Sequence, residues 1–247
     1  MKKIATCGCS HSSDFAGTSW PIFLQEKLGC ELLLSHSVGA GNEMNLEKVK
    51  YIVDQAPDLL IVQLTDPNRY TLALAHQVDL KTSLCDKISE ANSTDPTYLI
   101  GTHHYNGQLY YTFNTSANDN NLRVLTGDKN ITVDHFFMRQ VIVSNHNLCK
   151  KVLHTMATMA FIAEKKKVPL VFFSWSVDIH KIIKDAGYSE IFRDMNIIPG
   201  FIEQFVFEHN LKPIPVGMPG VGHHGSENQK LICDNYIFPY LNKRGLL

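Results

Sequence analysis

The chain has 247 residues, enough for one large domain or two small ones. Apolar residues make up 44% and charged residues 19%, the mix of a globular protein with a core rather than a disordered or fibrous chain. Lys plus Arg is 23 against 24 for Asp plus Glu, so the net charge is −1. That near-neutral balance gives no overall electrostatic footprint for nucleic acid or an anionic membrane. Twelve His stand out, with adjacent pairs at His103–His104 and His223–His224.

Met1-Lys2-Lys3 is followed by no apolar run long enough for a secretory leader. No window reaches the roughly 18–20 apolar residues of a membrane span. Cys7, Cys9, Cys30, Cys85, Cys149 and Cys233 are scattered, which suggests neither a disulfide framework nor a zinc site. The expectation is a cytoplasmic chain with reduced thiols. The sequons at Asn92, Asn114 and Asn130 are then not glycosylated.

Residues 2–6 read as a short strand running into a small-residue turn. Ser19-Trp20-Pro21 opens a helix that Gly29 ends. Residues 31–35 form a second strand. The turn Ser37-Val38-Gly39-Ala40-Gly41-Asn42 leads into a helix from about 43 to 55, closed by Pro57. Residues 58–64 are almost continuously apolar, as in a central parallel strand covered on both faces. This β-α-β-α-β order is a doubly wound α/β signature.

The pattern then breaks. Residues 66–133 are polar, aromatic and rich in Asn, Thr and Tyr. Residues 98–100 and 110–113 read as hairpin strands around Asn106-Gly107. The segment at about 76–133 is an insertion or lid within one domain spanning 1–247. Asp134 caps a helix to about Lys167, whose stripe of Phe137, Val141, Leu148, Val152, Met156 and Met159 is core packing. Residues 168–175 are a fourth strand. Helical pieces over 179–210 break at Pro199-Gly200, and a short strand at 212–216 follows. Ser226-Glu227-Asn228-Gln229 has capping-box spacing and starts a last helix to about Leu241. The fold class expected is a three-layer α/β/α, flavodoxin-like, doubly wound parallel sheet of about five strands.

Four loops carry the chemistry: Gly8-Cys9-Ser10-His11, Gly39-Ala40-Gly41-Asn42, Thr65-Asp66-Pro67-Asn68-Arg69 and Gly222-His223-His224-Gly225. Open parallel sheets bind ligands outside the carboxyl ends of their strands, so these loops are expected at one edge. They hold the parts of an acyl-transfer site. Ser10 serves as nucleophile and His224 as its base. The backbone N–H groups of Ser10 and Gly39, with the Asn68 amide, serve as oxyanion donors. The bland readings stay open beside these: a turn serine, turn glycines and a loop histidine. Cys7 and Cys9 as nucleophiles or a redox pair, and a metal bound by His223 and His224, are weaker alternatives. The role of His11 is left open, and His103–His104 is a surface feature or lines a cleft.

The four blocks resemble the SGNH hydrolase superfamily, also called GDSL esterases and lipases. Gly8-Cys9-Ser10 takes the Gly-Asp-Ser place with Cys9 for Asp. Gly39, Asn68 and His224 take the second, third and fourth blocks. The Gly-Cys-Ser opening, the Gly-Ala-Gly-Asn turn and the Arg after the third strand are similar to a divergent branch found in phage and marine microbial genomes. A phage origin would put the chain in a host cytoplasm or virion. The resemblance covers about residues 1–75 and 165–245. It departs where the family places an Asp three residues before its His, because Val221 stands there before His224. The pair then works as a dyad, or Asp178 substitutes as the acid. His223 is the second candidate for the base.

The resemblance implies an esterase of small acyl groups or of carbohydrate O-acetyl groups, without cofactor or metal. Its partner is a small ester or acylated carbohydrate, not nucleic acid or membrane. The contrasting reading is a catalytically silent domain of the same fold, binding an oligomeric or virion partner through the insertion. Acyl transfer to a sugar would use the same residues.

Overall fold

The computed structural model describes residues 2–13, 17–36, 40–67, 69–73, 101–105, 108–114, 145–215 and 222–247. Ten strands lie among them: β1 (Lys3–Gly8), β2 (Glu31–His36), β3 (Leu59–Leu64), β4 (Arg69–Ala73), β5 (Gly101–Tyr105), β6 (Gln108–Asn114), β7 (Leu170–Ser174), β8 (Asn196–Ile197), β9 (Ile214–Pro215) and β10 (Gly222–His223). The α-helices among them are α1 (Trp20–Leu28), α2 (Asn42–Ile52), α3 (Asn145–Lys165), α4 (Ile179–Asp185), α5 (Ile202–Glu208), α6 (Ser226–Ile232) and α7 (Phe238–Lys243). A π-helical stretch, Cys233–Ile237, joins the last two.

The main sheet has the order β2-β1-β3-β7-β8, and every pairing in it is parallel. This is the flavodoxin-like order, with the switch point between β1 and β3. Alternation along the strands splits the core in two. Ala5, Cys7, Leu60, Val62 and Phe172 pack under α2, α3 and α4, meeting Val49, Val152, Met156 and Ile183. Ile4, Leu59, Ile61, Val171 and Phe173 face the other way, against Trp20, Leu24, Ile202, Ile237 and Leu241. The result is the expected three-layer α/β/α architecture.

The fifth strand differs in place from the expected one. Residues 214–215 pair antiparallel with β10 in a two-stranded ribbon, and the sheet is completed by β8. Two residues are too few to show periodicity, so β8 has no signature in sequence. The helix predicted from Asp134 is described from Asn145, and Leu148, Val152, Met156 and Met159 of its stripe are buried. Asp134, Phe137 and Val141 lie outside the described residues, as do 98–100 and Asn106-Gly107. The hairpin pairing itself is present, with Tyr105 opposite Gln108. A third strand, β4, joins it in the order β4-β6-β5.

β4 is docked on the helices by polar contacts. Thr71 Oγ1 accepts from Gly41 N at 3.0 Å, and Thr71 N donates to Glu43 Oε2 at 3.2 Å. Lys151 pairs with Glu43 at 2.9 Å and donates to Arg69 O at 2.7 Å. Gly41 has φ −88°, so its need is space rather than left-handed backbone. A Cβ there would meet Thr71 Oγ1 at 2.8 Å and Arg69 O at 3.1 Å.

One buried polar node fixes where β1 exits. Gln63 interrupts the apolar run of β3, and its Oε1 accepts from Ser12 Oγ and, at 3.8 Å, from Cys9 Sγ. Ser12 Oγ in turn accepts from Trp20 Nε1 at 2.9 Å. Gly8 opens the space: a Cβ on it would sit 2.8 Å from Gln63 Oε1 and 2.9 Å from Ser12 Oγ. Gly8→Ala is therefore expected to destabilise the fold by about 1–3 kcal/mol, read by urea unfolding. Unchanged stability would show that the Gln63 amide has another place to go.

Candidate active site

Ser10 lies where β1 ends, in a one-turn 3₁₀ helix (Ser10–Ser12) that follows the extended Cys9. It is 5% exposed. Its carbonyl accepts from Ser13 N at 3.2 Å and Ser13 Oγ at 2.9 Å. Among the described residues these are its hydrogen bonds, and none joins its hydroxyl to His224.

The C-terminal histidines sit on the same edge. His11 stacks on Trp175, ring centroids 3.6 Å apart and planes 12° off parallel. His223 stacks on the His11 ring at 4.8 Å, and His224 lies 5.7 Å from the Trp175 ring. The loops after β1 and β7 and the loop before α6 thus meet in one aromatic cluster. The loop after β3 joins them, because Cys9, His11, Thr65, Asp66, Arg69 and Trp175 line a common cavity. Asn42 holds that loop from α2: its Nδ2 donates to Thr65 O at 3.2 Å, and its Oδ1 accepts from Thr65 N at 2.9 Å.

The capping box expected at Ser226 does not form. Ser226 Oγ accepts from Thr18 N at 2.9 Å. Gln229 Oε1 accepts from Trp20 N at 3.2 Å, and its Nε2 donates to His11 O at 3.1 Å. Gly225 takes the N-cap position instead. These side chains instead satisfy backbone groups at the start of α1 and in the turn after β1.

Of the other residues singled out from sequence, Gly39 and Asn68 lie outside the described residues. Asp178 caps α4, its carboxylate accepting from Lys181 N at 3.2 Å. The partner of His224 Nδ1 is not an acid but Asn228 Nδ2, at 3.2 Å. The same nitrogen donates to Lys212 O at 2.7 Å, which fixes the amide orientation. With Nδ1 accepting, neutral His224 carries its proton on Nε2. Sequence reasoning missed Asn228 because it follows the histidine by one helical turn rather than preceding it. Trp175 was read only as the end of a strand.

Burial lowers the proton affinity of His11 well below the usual value, and His223, Arg69 and His224 add to the effect. Burial, then His223, lowers that of His224. His36, at the end of β2, is lowered to about 3 by burial and the nearby Lys48. It shares a 3.0 Å hydrogen bond with Thr6 Oγ1. Burial therefore favours the neutral forms of His11 and His224, and a general base starts neutral.

No family model matches the sequence, and no curated protein matches it. Among solved structures, the chain aligns over its full length with all of TesA, at 12% identity and a TM-score of 0.51. It aligns over 98% of its length with all of the psychrotrophic esterase EstA from Pseudoalteromonas sp., at 11% identity and a TM-score of 0.51. A GDSL-like lipase from Bacteroides thetaiotaomicron VPI-5482 aligns over 98% of this chain and 89% of its own, at 9% identity and a TM-score of 0.46. At these identities TesA and EstA show a shared fold.

Histidines that refuse a proton in the folded state make stability fall with pH. Below about 6.5 the unfolded chain takes up protons that the folded chain declines, down to about 3 at His36. Urea unfolding should show stability lost progressively as pH falls through this window. The loss should be shallower in His36→Gln; an equal slope in both proteins would rule out His36 as a source.

Proposed function

We propose that the chain is a serine hydrolase of carboxylic esters of the SGNH type, acting on small acyl esters or carbohydrate O-acetyl groups. The observation that carries the reading is the meeting at one sheet edge of Ser10, in a tight turn at the end of β1, with the buried histidines His223 and His224 near the C-terminus. The fold shared with an esterase supports it, as analogy for function.

In this mechanism Ser10 Oγ attacks the acyl carbonyl and His224 takes the proton. The negative oxygen is held by the N–H groups of Ser10 and Gly39 and by the Asn68 amide. His224 returns the proton to the leaving alcohol. Water, deprotonated by the same ring, then releases the acid. His224 can accept at Nε2 only when its own proton sits on Nδ1. Asn228 must then present Oδ1 to that proton, giving up its bond to Lys212 O. Asn228 thus occupies the orienting role that an acid fills in a triad, without its charge.

Ser10→Ala is expected to lower hydrolysis of p-nitrophenyl acetate by about 10³-fold or more. Full activity in that variant would sink the mechanism. Asn228→Asp should raise kcat, because a carboxylate accepts from Nδ1–H and stabilises the imidazolium formed in the transition state. A pH–rate profile should show the governing pKa moved upward. An unchanged profile would exclude Asn228 from the orienting role.

The second reading, a silent domain of the same fold, is favoured by one observation: the bond from Asn228 to His224 Nδ1 places the ring proton where a base needs a lone pair. Under that reading the wild-type chain hydrolyses p-nitrophenyl acetate no faster than Ser10→Ala.

A further inference from the structure

A buried guanidinium without hydrogen-bond partners is expensive, and native structures supply such a group with an anion or a ligand. Arg69 is 8% exposed, and its Nε and Nη1 are enclosed without a hydrogen-bond partner. The residue is not loosely held. Its backbone N donates to Asp66 O at 3.0 Å, and its carbonyl accepts from Lys151 Nζ at 2.7 Å. Its side chain lines the cavity between the loops after β1, β3 and β7, whose volume is about 70 Å³. Three more enclosed polar atoms on the same lining lack partners: Thr65 Oγ1, His11 Nδ1 and Ser176 Oγ. The fixed donors are the guanidinium N–H groups, and the hydroxyls can donate as well. The complement of such a set is an acceptor-rich, negatively charged group.

We propose that this cavity is a carboxylate-binding site, in which Arg69 grips the ligand's two oxygens and the hydroxyls of Thr65 and Ser176 donate to them. Three features favour a carboxylate over phosphate or sulfate. A planar pair of oxygens matches the guanidinium fork. The space, about 70 Å³, is that of a small group of acetate size. Asp66 and Glu203 also line the cavity, and their charge opposes a dianion more than a monoanion. Burial raises the proton affinity of Glu203, and Asp66 adds to it while Arg69 opposes it, so these charges act on one another across the cavity. The cavity adjoins both neighbours of Ser10, so a carboxylate there belongs either to the ester substrate and its product or to a separate free acid.

This site does not depend on Ser10 acting as a nucleophile, and its test has a readout apart from catalysis. The full chain is titrated calorimetrically with sodium acetate and, separately, with sodium phosphate at matched ionic strength. Acetate should bind, and phosphate should bind at least about tenfold more weakly. Arg69→Met should weaken acetate binding by about 10- to 100-fold, the loss expected for charge-assisted hydrogen bonds. Thr65→Val preserves shape and the backbone bonds to Asn42, and should weaken it by a smaller factor. Folded wild-type protein that ignores acetate, variants that bind it equally well, or tighter binding of phosphate would each overturn the proposal. Competitive inhibition of p-nitrophenyl acetate hydrolysis by acetate assigns the carboxylate to the substrate or product. Binding without inhibition assigns it to a free acid.

Discussion

The geometry of the candidate site depends on one buried amide. Gln63 sits in the most enclosed strand of the sheet, where its neighbours Leu60, Ile61, Val62 and Leu64 are all fully buried. An unpaired amide there would cost about 1–3 kcal/mol, whereas a satisfied one contributes to stability. Its side chain is satisfied from the β1 loop, by Ser12 and Cys9, and its carbonyl by Asn45 Nδ2 at 3.0 Å. The absent side chain at Gly8 makes the approach feasible. The turn that holds Ser10 and His11 is therefore held from below by β3 and from the side by Trp20 and Gln229. Polar groups inside an apolar sheet here do the positioning, and the surrounding core supplies rigidity.

Burial in a site positioned this way favours the neutral imidazole over the charged one. Three histidines, a tryptophan and a small cavity share the carboxyl edge of the sheet, and burial keeps at least two of those rings unprotonated. Arg69 adds to that effect through its field on His11, while its own Nε and Nη1 remain without hydrogen bonds. Arg69 thus acts on the ring that shares its cavity, His11, whereas the proton affinity of His224 is lowered by burial and by His223.

Much of the fold could be read from the chain because its signals are periodic or punctuated. Strand β3 announced itself as a continuous apolar run, α1 by Pro21 and Gly29, and α3 by its stripe through Leu148, Val152, Met156 and Met159. Strand β8 could not, since two residues have no period. β4 was hidden because its anchors, Gly41, Glu43 and Lys151, lie on distant segments. The capping box at Ser226 shows the same limit from the other side. A local motif predicts a local bond, but tertiary demand from Thr18, Trp20 and His11 took those side chains elsewhere. At the site, Ser10 and His224 stood out through their places after the first strand and before a late helix. Asn228 did not, because it follows its histidine instead of preceding it, and Trp175 and the enclosed face of Arg69 did not, because their surroundings exist only once the loops are brought together.

The central claim is that Ser10 is the reacting group of this edge. It is tested most directly by treating the folded chain with a fluorophosphonate and mapping the adduct by mass spectrometry after proteolysis. The account predicts one phosphonyl adduct, on Ser10, that is absent after prior denaturation. An unmodified chain, or an adduct on Cys9 or Ser176 with Ser10 intact, would contradict it.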